Sequence, residues 1–181
     1  MATRGVSRFC VRVPVGLLAA FCLCAPCPVL LADTIKCGAV CGETWTSAGS
    51  PYRVTCDVTV ESGCSLTIED GVEVRVDAHT MPLRIDVQGT LNVNGTPSSR
   101  VSFRSYEASP AAGDWGGVRL RSGASGSFES VDIQHAQKGL DLNSGSVVTL
   151  DDVSSQDNED GLSVYADVTV NGTNCSFINN T

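Results

Sequence analysis

Carboxylates are the residues with the most chemistry to offer. The densest group is Asp151, Asp152, Asp157, Glu159 and Asp160. Two carboxyl groups about 5–9.5 Å apart can cleave a glycosidic bond, one as acid and one as nucleophile or base. The turn Asp157-Asn158-Glu159-Asp160-Gly161 also collects hard oxygen donors, so Asp157, Glu159 and Asp160 are the candidate calcium ligands. That turn lacks EF-hand spacing, and there is no Gly-Gly-x-Gly-x-Asp array around it. The ordinary reading of such a run is a set of solvated turns. His79 and His135 stand alone, with no ligand at metal spacing. No glycine loop for phosphate and no Ser-His-Asp context appears. No residue is assigned a catalytic role.

The nine cysteines divide by position. Cys10, Cys22, Cys24 and Cys27 fall within the opening segment, 1–32. Cys37, Cys41, Cys56 and Cys64 are the disulfide candidates, and four cysteines allow three connectivities. Cys56 with Cys64 is the expected bridge, because strands flanking Glu61-Ser62-Gly63 would bring them together. Cys37-x-x-x-Cys41 has half the spacing of a zinc site but no histidine to complete it. Cys175 occupies a repeat position shared with valines and is expected in the core.

Those oxidised cysteines need an export route, and the opening segment supplies one. Arg4, Arg8 and Arg12 form a basic start, and Val13 to Ala32 carries no charge. This order predicts a secretory signal peptide over 1–32, and hence a secreted or cell-surface protein. Pro14, Pro26 and Pro28 disfavour a retained membrane helix, so no membrane contact is expected after cleavage. Removal of 1–32 leaves a mature chain with 9 Lys and Arg against 20 Asp and Glu, a charge of −11 in place of −8. Such a chain has no basic face for phosphates, so nucleic acid is excluded as a partner.

Beyond Val54 the sequence alternates apolar and polar residues. Examples are Val72-Glu73-Val74-Arg75-Val76, Leu83-Arg84-Ile85-Asp86-Val87 and Leu140-Asp141-Leu142. Period-two alternation marks half-buried strands, and Gly, Asn, Asp, Ser or Pro sits at nearly every break. The body is all-β. Val131, Val153 and Cys175 recur at a constant step of 22, as do Ala136, Asn158 and Asn180. Thr149-Leu150 aligns with Thr169-Val170 at a step of 20, which predicts one turn shorter by two residues. Short strands at this period mean stacked rungs, and the mature chain at about 20–25 residues per rung gives about six. The 22-residue step would set Asp132 beside Ser154 and Asp141 beside Ser163, so it stacks no obvious acid pair. Asn158 and Asn180 are expected to hydrogen-bond along the stack.

Several segments together resemble the right-handed parallel β-helix, or pectin-lyase-like, superfamily, in its secreted repeat proteins. They run from Thr44-Trp45-Thr46 and Ser50-Pro51-Tyr52 through Leu66-Thr67-Ile68-Glu69-Asp70-Gly71-Val72-Glu73-Val74 to Gly89-Thr90-Leu91, Val101-Ser102-Phe103 and Gly113-Asp114-Trp115-Gly116-Gly117-Val118. Asp70 stands where that family has proline. The resemblance implies a right-handed single-stranded parallel β-helix over 58–181, preceded by a cysteine-rich cap at 33–57. Tyr106–Gly113 reads as a loop projecting from one rung. Trp115 would cover its base, the alternative being a sugar-stacking platform.

The superfamily holds many polysaccharide lyases and hydrolases. The Asp-Asp and Gly-His-Gly signatures of polygalacturonases are not reproduced, and no arginine follows Arg121 to build a pectate-lyase site. The first reading is therefore a non-catalytic module for structural, adhesive or glycan contact, with a polysaccharide or cell-surface glycan as partner. The alternative is a polysaccharide lyase or glycoside hydrolase. The chain stops just after the strand-like Cys175-Ser176-Phe177-Ile178 with no capping segment, so a third reading is the N-terminal part of a longer protein, its β-helix truncated at the C-terminus; taken alone it is expected to self-associate through the uncapped rung.

Overall fold

The structure, a computed structural model, describes residues 32–181. The expected signal segment lies outside the described residues but for Ala32.

Fifteen strands wind as one coil. Thr34–Val40 (β1) begins it, and Glu43–Trp45 (β2) with Tyr52–Val60 (β3) makes the next turn. Ser65–Glu69 (β4), Glu73–Val76 (β5) and Arg84–Val87 (β6) make another, then Thr90–Asn94 (β7), Val101–Ser105 (β8) and Gly117–Leu120 (β9). Ser125–Gln134 (β10) and Lys138–Leu142 (β11) follow, then Val147–Gln156 (β12) and Asp160–Val164 (β13), then Thr169–Thr173 (β14) and Ser176–Ile178 (β15). Every ladder between these strands is parallel, and each strand pairs with the turn before and the turn after, save β1, β2, β13, β14 and β15, which pair on one side. β2, β4, β7, the first halves of β10 and β12, and β14 stack as the first face. The starts of β1 and β3 stack with β5, β8, the second halves of β10 and β12, and β15 as the second face. The ends of β1 and β3 stack with β6, β9, β11 and β13 as the third face. This is a parallel β-helix of five complete turns, with a partial turn at each end. The segment expected as a cap, 33–57, supplies β1, β2 and half of β3 to the same three faces.

Alternation decides which side chains face inward. Leu66, Leu91 and Val148 share one inward column on the first face, and Val87, Leu120 and Leu142 another on the third; all are fully buried. Identical positions stacked about 4.8 Å apart form continuous apolar columns, so each turn covers the core of its neighbour. Trp115 is fully buried as well, and its indole N–H donates to the Gln134 carbonyl at 2.8 Å.

The corners repeat as faithfully as the strands. Ser130, Asp152 and Asn174 recur at the same step of 22 and have φ of 48°, 55° and 55°. His135, Asp157 and Asn179 form a second series, at 65°, 56° and 55°. Gly123, Gly145 and Asp167 form a third, at 77°, 75° and 58°. One left-handed residue at each of these corners bends the chain from face to face, and Gly, Asn and Asp reach that conformation at least cost. Over β10–β15 the strand register keeps the 22-residue step: Thr149 pairs with Asn171 and Leu150 with Gly172. The shorter turn expected from aligning Thr149-Leu150 with Thr169-Val170 is absent, because backbone pairing sets the register and local likeness of residue type does not.

Asn158 and Asn180 hold the second corner. The Ala136 amide donates to Asn158 Oδ1 at 2.8 Å, and the Asn158 amide donates to Asn180 Oδ1 at 3.0 Å. Asn158 Nδ2 donates further to the Ile133 carbonyl at 3.2 Å and to Ser155 Oγ at 3.0 Å. Fully buried, this side chain replaces water for backbone groups that the corner would leave unpaired.

All four candidate cysteines are bridged, but as Cys37–Cys56 and Cys41–Cys64. The expected Cys56–Cys64 bridge is wrong. Those two residues sit at different corners of one turn, separated by the whole end of β3, while the bridges join adjacent turns at matching corners. Cys175 is partly buried and packs on the core edge, less enclosed than its repeat position implied, because it lies in the last partial turn.

Replacing Asn158 with Ala leaves the corner amides unpaired and is expected to lower stability by about 1–3 kcal/mol, with an unchanged denaturant m-value. Replacing both Cys41 and Cys64 with Ser frees a loop of sequence separation 23. Chain entropy puts that cost at about 3 kcal/mol, read as a lower thermal midpoint that reductant does not lower further at that bridge.

Candidate functional site

The outward positions of β3, β5 and β8 carry arginine on three successive turns. Arg53 is in register with Arg75, and Arg75 with Arg104. Like charges about 4.8 Å apart repel, so this column needs intervening anions. Two carboxylates provide them. Arg53 donates from Nε and Nη2 to Asp77 at 2.7 and 3.1 Å. Glu73 accepts from Arg75 at 2.6 Å and from Arg104 with its other oxygen. The phenol ring of Tyr106 lies on the Arg53 guanidinium, 3.8 Å from its carbon to the ring centre. Three cations and two anions make up the column itself; Glu107 lines the groove beside it, and Asp33 lies close enough to act on Arg53 and Arg75. Arg75 Nε is buried with no hydrogen-bond partner among the described residues.

Two loops frame this column. Residues 77–83 join β5 to β6 and residues 106–116 join β8 to β9, so both leave the same corner on consecutive turns. Between them lies an open groove of about 600 Å³, lined by Arg53, Arg75, Asp77, His79, Tyr106 and Glu107 with Ala78 and Ala108. Burial works to raise the Glu73 pKa, but the hydrogen bonds from Arg75 and Arg104 outweigh it and hold the carboxyl below its ordinary 4.5. The hydrogen bond to Asp77 and the nearby carboxylate raise Arg53, and Glu73 does the same for Arg75. The groove keeps both arginines charged at any physiological pH.

A second ion cluster lies on the third face. Asp86, with its side chain 10% exposed, accepts from Arg119 at 2.9 Å and from Arg121 at 2.8 Å. Burial opposes ionisation there, and the two guanidinium groups still hold Asp86 below its ordinary value. Asp141 is in register with Arg119 and has Lys138 Nζ 3.8 Å away. On the second face Arg100 ties Asp132 to Asp152 across one turn.

The residues singled out from sequence fall elsewhere. Asp157, Glu159 and Asp160 share the corner between β12 and β13 without converging. Asp157 takes the left-handed position, Asp160 accepts from Ser163 Oγ at 3.2 Å, and both Glu159 and Asp160 face solvent. Among the described residues no three His, Cys, Asp or Glu side chains gather as a metal site. Trp115 offers no face to a sugar, since its ring is wholly enclosed. The residue takes the covering role, and burial removes it from the glycan-stacking candidates. Asp132 does lie beside Ser154, and Asp141 beside Ser163. The arginine column escaped sequence reading because loops of different length separate its members, at steps of 22 and then 29 along the chain. The available signal was Val74-Arg75-Val76 and its kin, a cation at the outward position of each strand.

A family model, the pectate-lyase like beta helix domain, matches residues 38–179. The chain belongs to that family. No curated protein and no solved structure matches it. Membership in the pectate-lyase-like β-helix family fits the three-faced coil and the groove beside one face, and it fixes no activity. The two disulfides fit an extracellular protein. Among the described residues no helix is long and apolar enough to cross a membrane.

Because Glu73 and Asp86 are held below their ordinary values, their contribution to stability is complete above the unfolded-state pKa and is lost as pH falls through the folded one. The thermal midpoint is expected to stay level at neutral pH and to decline below about pH 4.5 as the unfolded state takes up protons first. Glu73→Gln removes part of that decline, measured by thermal unfolding between pH 7 and pH 3.

Proposed function

We propose that this β-helix is a secreted, non-catalytic module that binds an acidic glycan in the groove over Arg53, Arg75 and Arg104. The observation that carries this reading is the arginine column itself, half-exposed, with Arg53, Arg75 and Tyr106 lining the groove and Arg104 next in register. Guanidinium groups recognise carboxylate and sulfate groups by paired hydrogen bonds, and an aromatic edge suits a sugar ring. Repeated cations at the rung spacing suit a polymer with repeated anions better than a single small ion. The cluster's own acids are committed to ion pairs, so Asp77 and Glu73 are poorly placed to act as an acid and base pair.

The overall charge of −11 is no obstacle to this reading. Residues 33–121 hold 8 Lys and Arg against 11 Asp and Glu, a balance of −3. Residues 122–181 hold one Lys against 9 Asp and Glu, a balance of −8. The repulsive half of the molecule is thus the C-terminal turns, and the groove lies on the other half.

Affinity electrophoresis against a panel of neutral and acidic polysaccharides, with and without calcium, is the test. Retardation by acidic polymers only is expected, with Arg75→Gln and Arg104→Gln each weakening binding roughly tenfold. New reducing ends or unsaturated uronate absorbance during incubation would replace this reading with the polysaccharide lyase or hydrolase one. Equal binding of neutral polymers would remove the role of the arginines.

A further inference from the structure

The corner between the third and first faces is not built alike on every turn. After β3 it takes four residues, Glu61–Cys64, and after β9 four more, Arg121–Ala124. Each is closed by a hydrogen bond from the fourth amide to the first carbonyl, at 3.0 Å in both. On the turn between them the corner after β6 is only Gln88-Gly89. This short corner tucks beneath its neighbour: the Gln88 and Gly89 amides both donate to the Val60 carbonyl, at 2.8 and 3.2 Å. A Cβ on Gly89 would lie 2.2 Å from the Cys64 carbonyl oxygen and 2.4 Å from that of Glu61, so only glycine fits. Two long corners about 9.5 Å apart, with a recessed one between, leave a notch.

The notch has a volume of about 430 Å³ and is lined by Ser62, Gln88, Arg121 and Ser122. Ser62 and Ser122 stand on its walls, the Gln88 amide on its floor and the Arg121 guanidinium on its rim. Ser122 Oγ donates to the Ser144 carbonyl at 2.6 Å, whereas the Ser62 hydroxyl makes no hydrogen bond to another described residue and is free to donate. Arg121 is held in place by Asp86, which accepts from Nε and Nη2. Its Nη1 makes no hydrogen bond to another described residue, and its side chain is 46% exposed. The ion pair therefore fixes the direction of Arg121 and leaves one edge open. Glu61 begins the upper corner and is exposed, which limits the site to a ligand whose anion sits deeper than that carboxylate.

We propose that this notch is a second binding site, distinct from the groove, for a tetrahedral oxyanion: a sulfate or phosphate group, free or as an ester on a sugar. The free edge of a fixed guanidinium, the Ser62 hydroxyl on one wall and the Gln88 amide below offer donors from three directions to several oxygens around one centre, whereas a planar carboxylate would reach fewer of them. The site depends on the two-residue corner, not on the groove arginines.

Isothermal titration of the whole chain at constant ionic strength tests it, with inorganic sulfate, inorganic phosphate, glucose 6-sulfate and glucose 6-phosphate as probes and chloride as reference. Saturable millimolar binding of an oxyanion is expected, weakened roughly tenfold in Arg121→Gln and several-fold in a Ser62→Ala, Gln88→Ala double variant. The part of the binding that Arg121→Gln removes should persist in Arg75→Gln, which alters the groove alone. Binding of the sugar esters alone places the ligand on a glycan; binding of all four probes assigns the oxyanion itself. Should Arg121→Gln fail to fold with Asp86 left to Arg119 alone, the Ser62→Ala, Gln88→Ala variant, on exposed turns, decides. No saturable binding, or equal binding in that double variant, overturns the proposal.

Discussion

A parallel coil satisfies its backbone only through the turn before and the turn after. Each N–H and C=O on a strand must find its partner one turn away, at the same height around the coil, or lose a hydrogen bond. Vertical register is thus the constraint on which everything else rests. It fixes the 22-residue step over β10–β15, places a left-handed residue at the corners of those turns, and makes identical positions lie on top of one another. Buried Asn158 serves the same end, pairing amides where the chain leaves strand geometry.

Stacking of like positions also produces the charged features. A cation on the outside of one strand has the matching position of the next turn as its nearest neighbour. Where Arg53, Arg75 and Arg104 coincide, the structure places Glu73 and Asp77 between them. Where Asp86 meets Arg119, Arg121 joins the same carboxylate from the corner. The coil thereby concentrates charge in columns that a globular fold would scatter. Variation enters only where register permits it, at the corners, whose length is free so long as the next strand starts in line. The long loops 77–83 and 106–116 raise a groove, and the short Gln88-Gly89 corner opens a notch.

Most of the architecture was legible beforehand because it is periodic. Alternation of Val72-Glu73-Val74-Arg75-Val76 gives strand and burial together, and the spacing of Val131, Val153 and Cys175 gives the stack. The turn-forming residues at the breaks were legible for the same reason, since Gly, Asn and Asp tolerate the left-handed corner. The cysteine pairing was not legible. Adjacent corners and adjacent turns bring different residues close, and only the path of β3 shows that Cys56 meets Cys37 while Cys64 meets Cys41. The dense acids at 151–160 drew attention by abundance, yet they spread over separate corners and faces.

By itself the sequence determined an all-β solenoid with oxidised cysteines at its start and an acidic surface, because those properties follow from periodicity and composition. Tertiary structure alone decided which charges meet. Arg75 and Arg104 are separated by a long loop in sequence and stand in direct register, while Trp115, free to face a sugar on paper, is enclosed. The reason is that loops between turns vary in length without disturbing the stack, so distance along the chain and distance across the turns are unrelated wherever a loop intervenes.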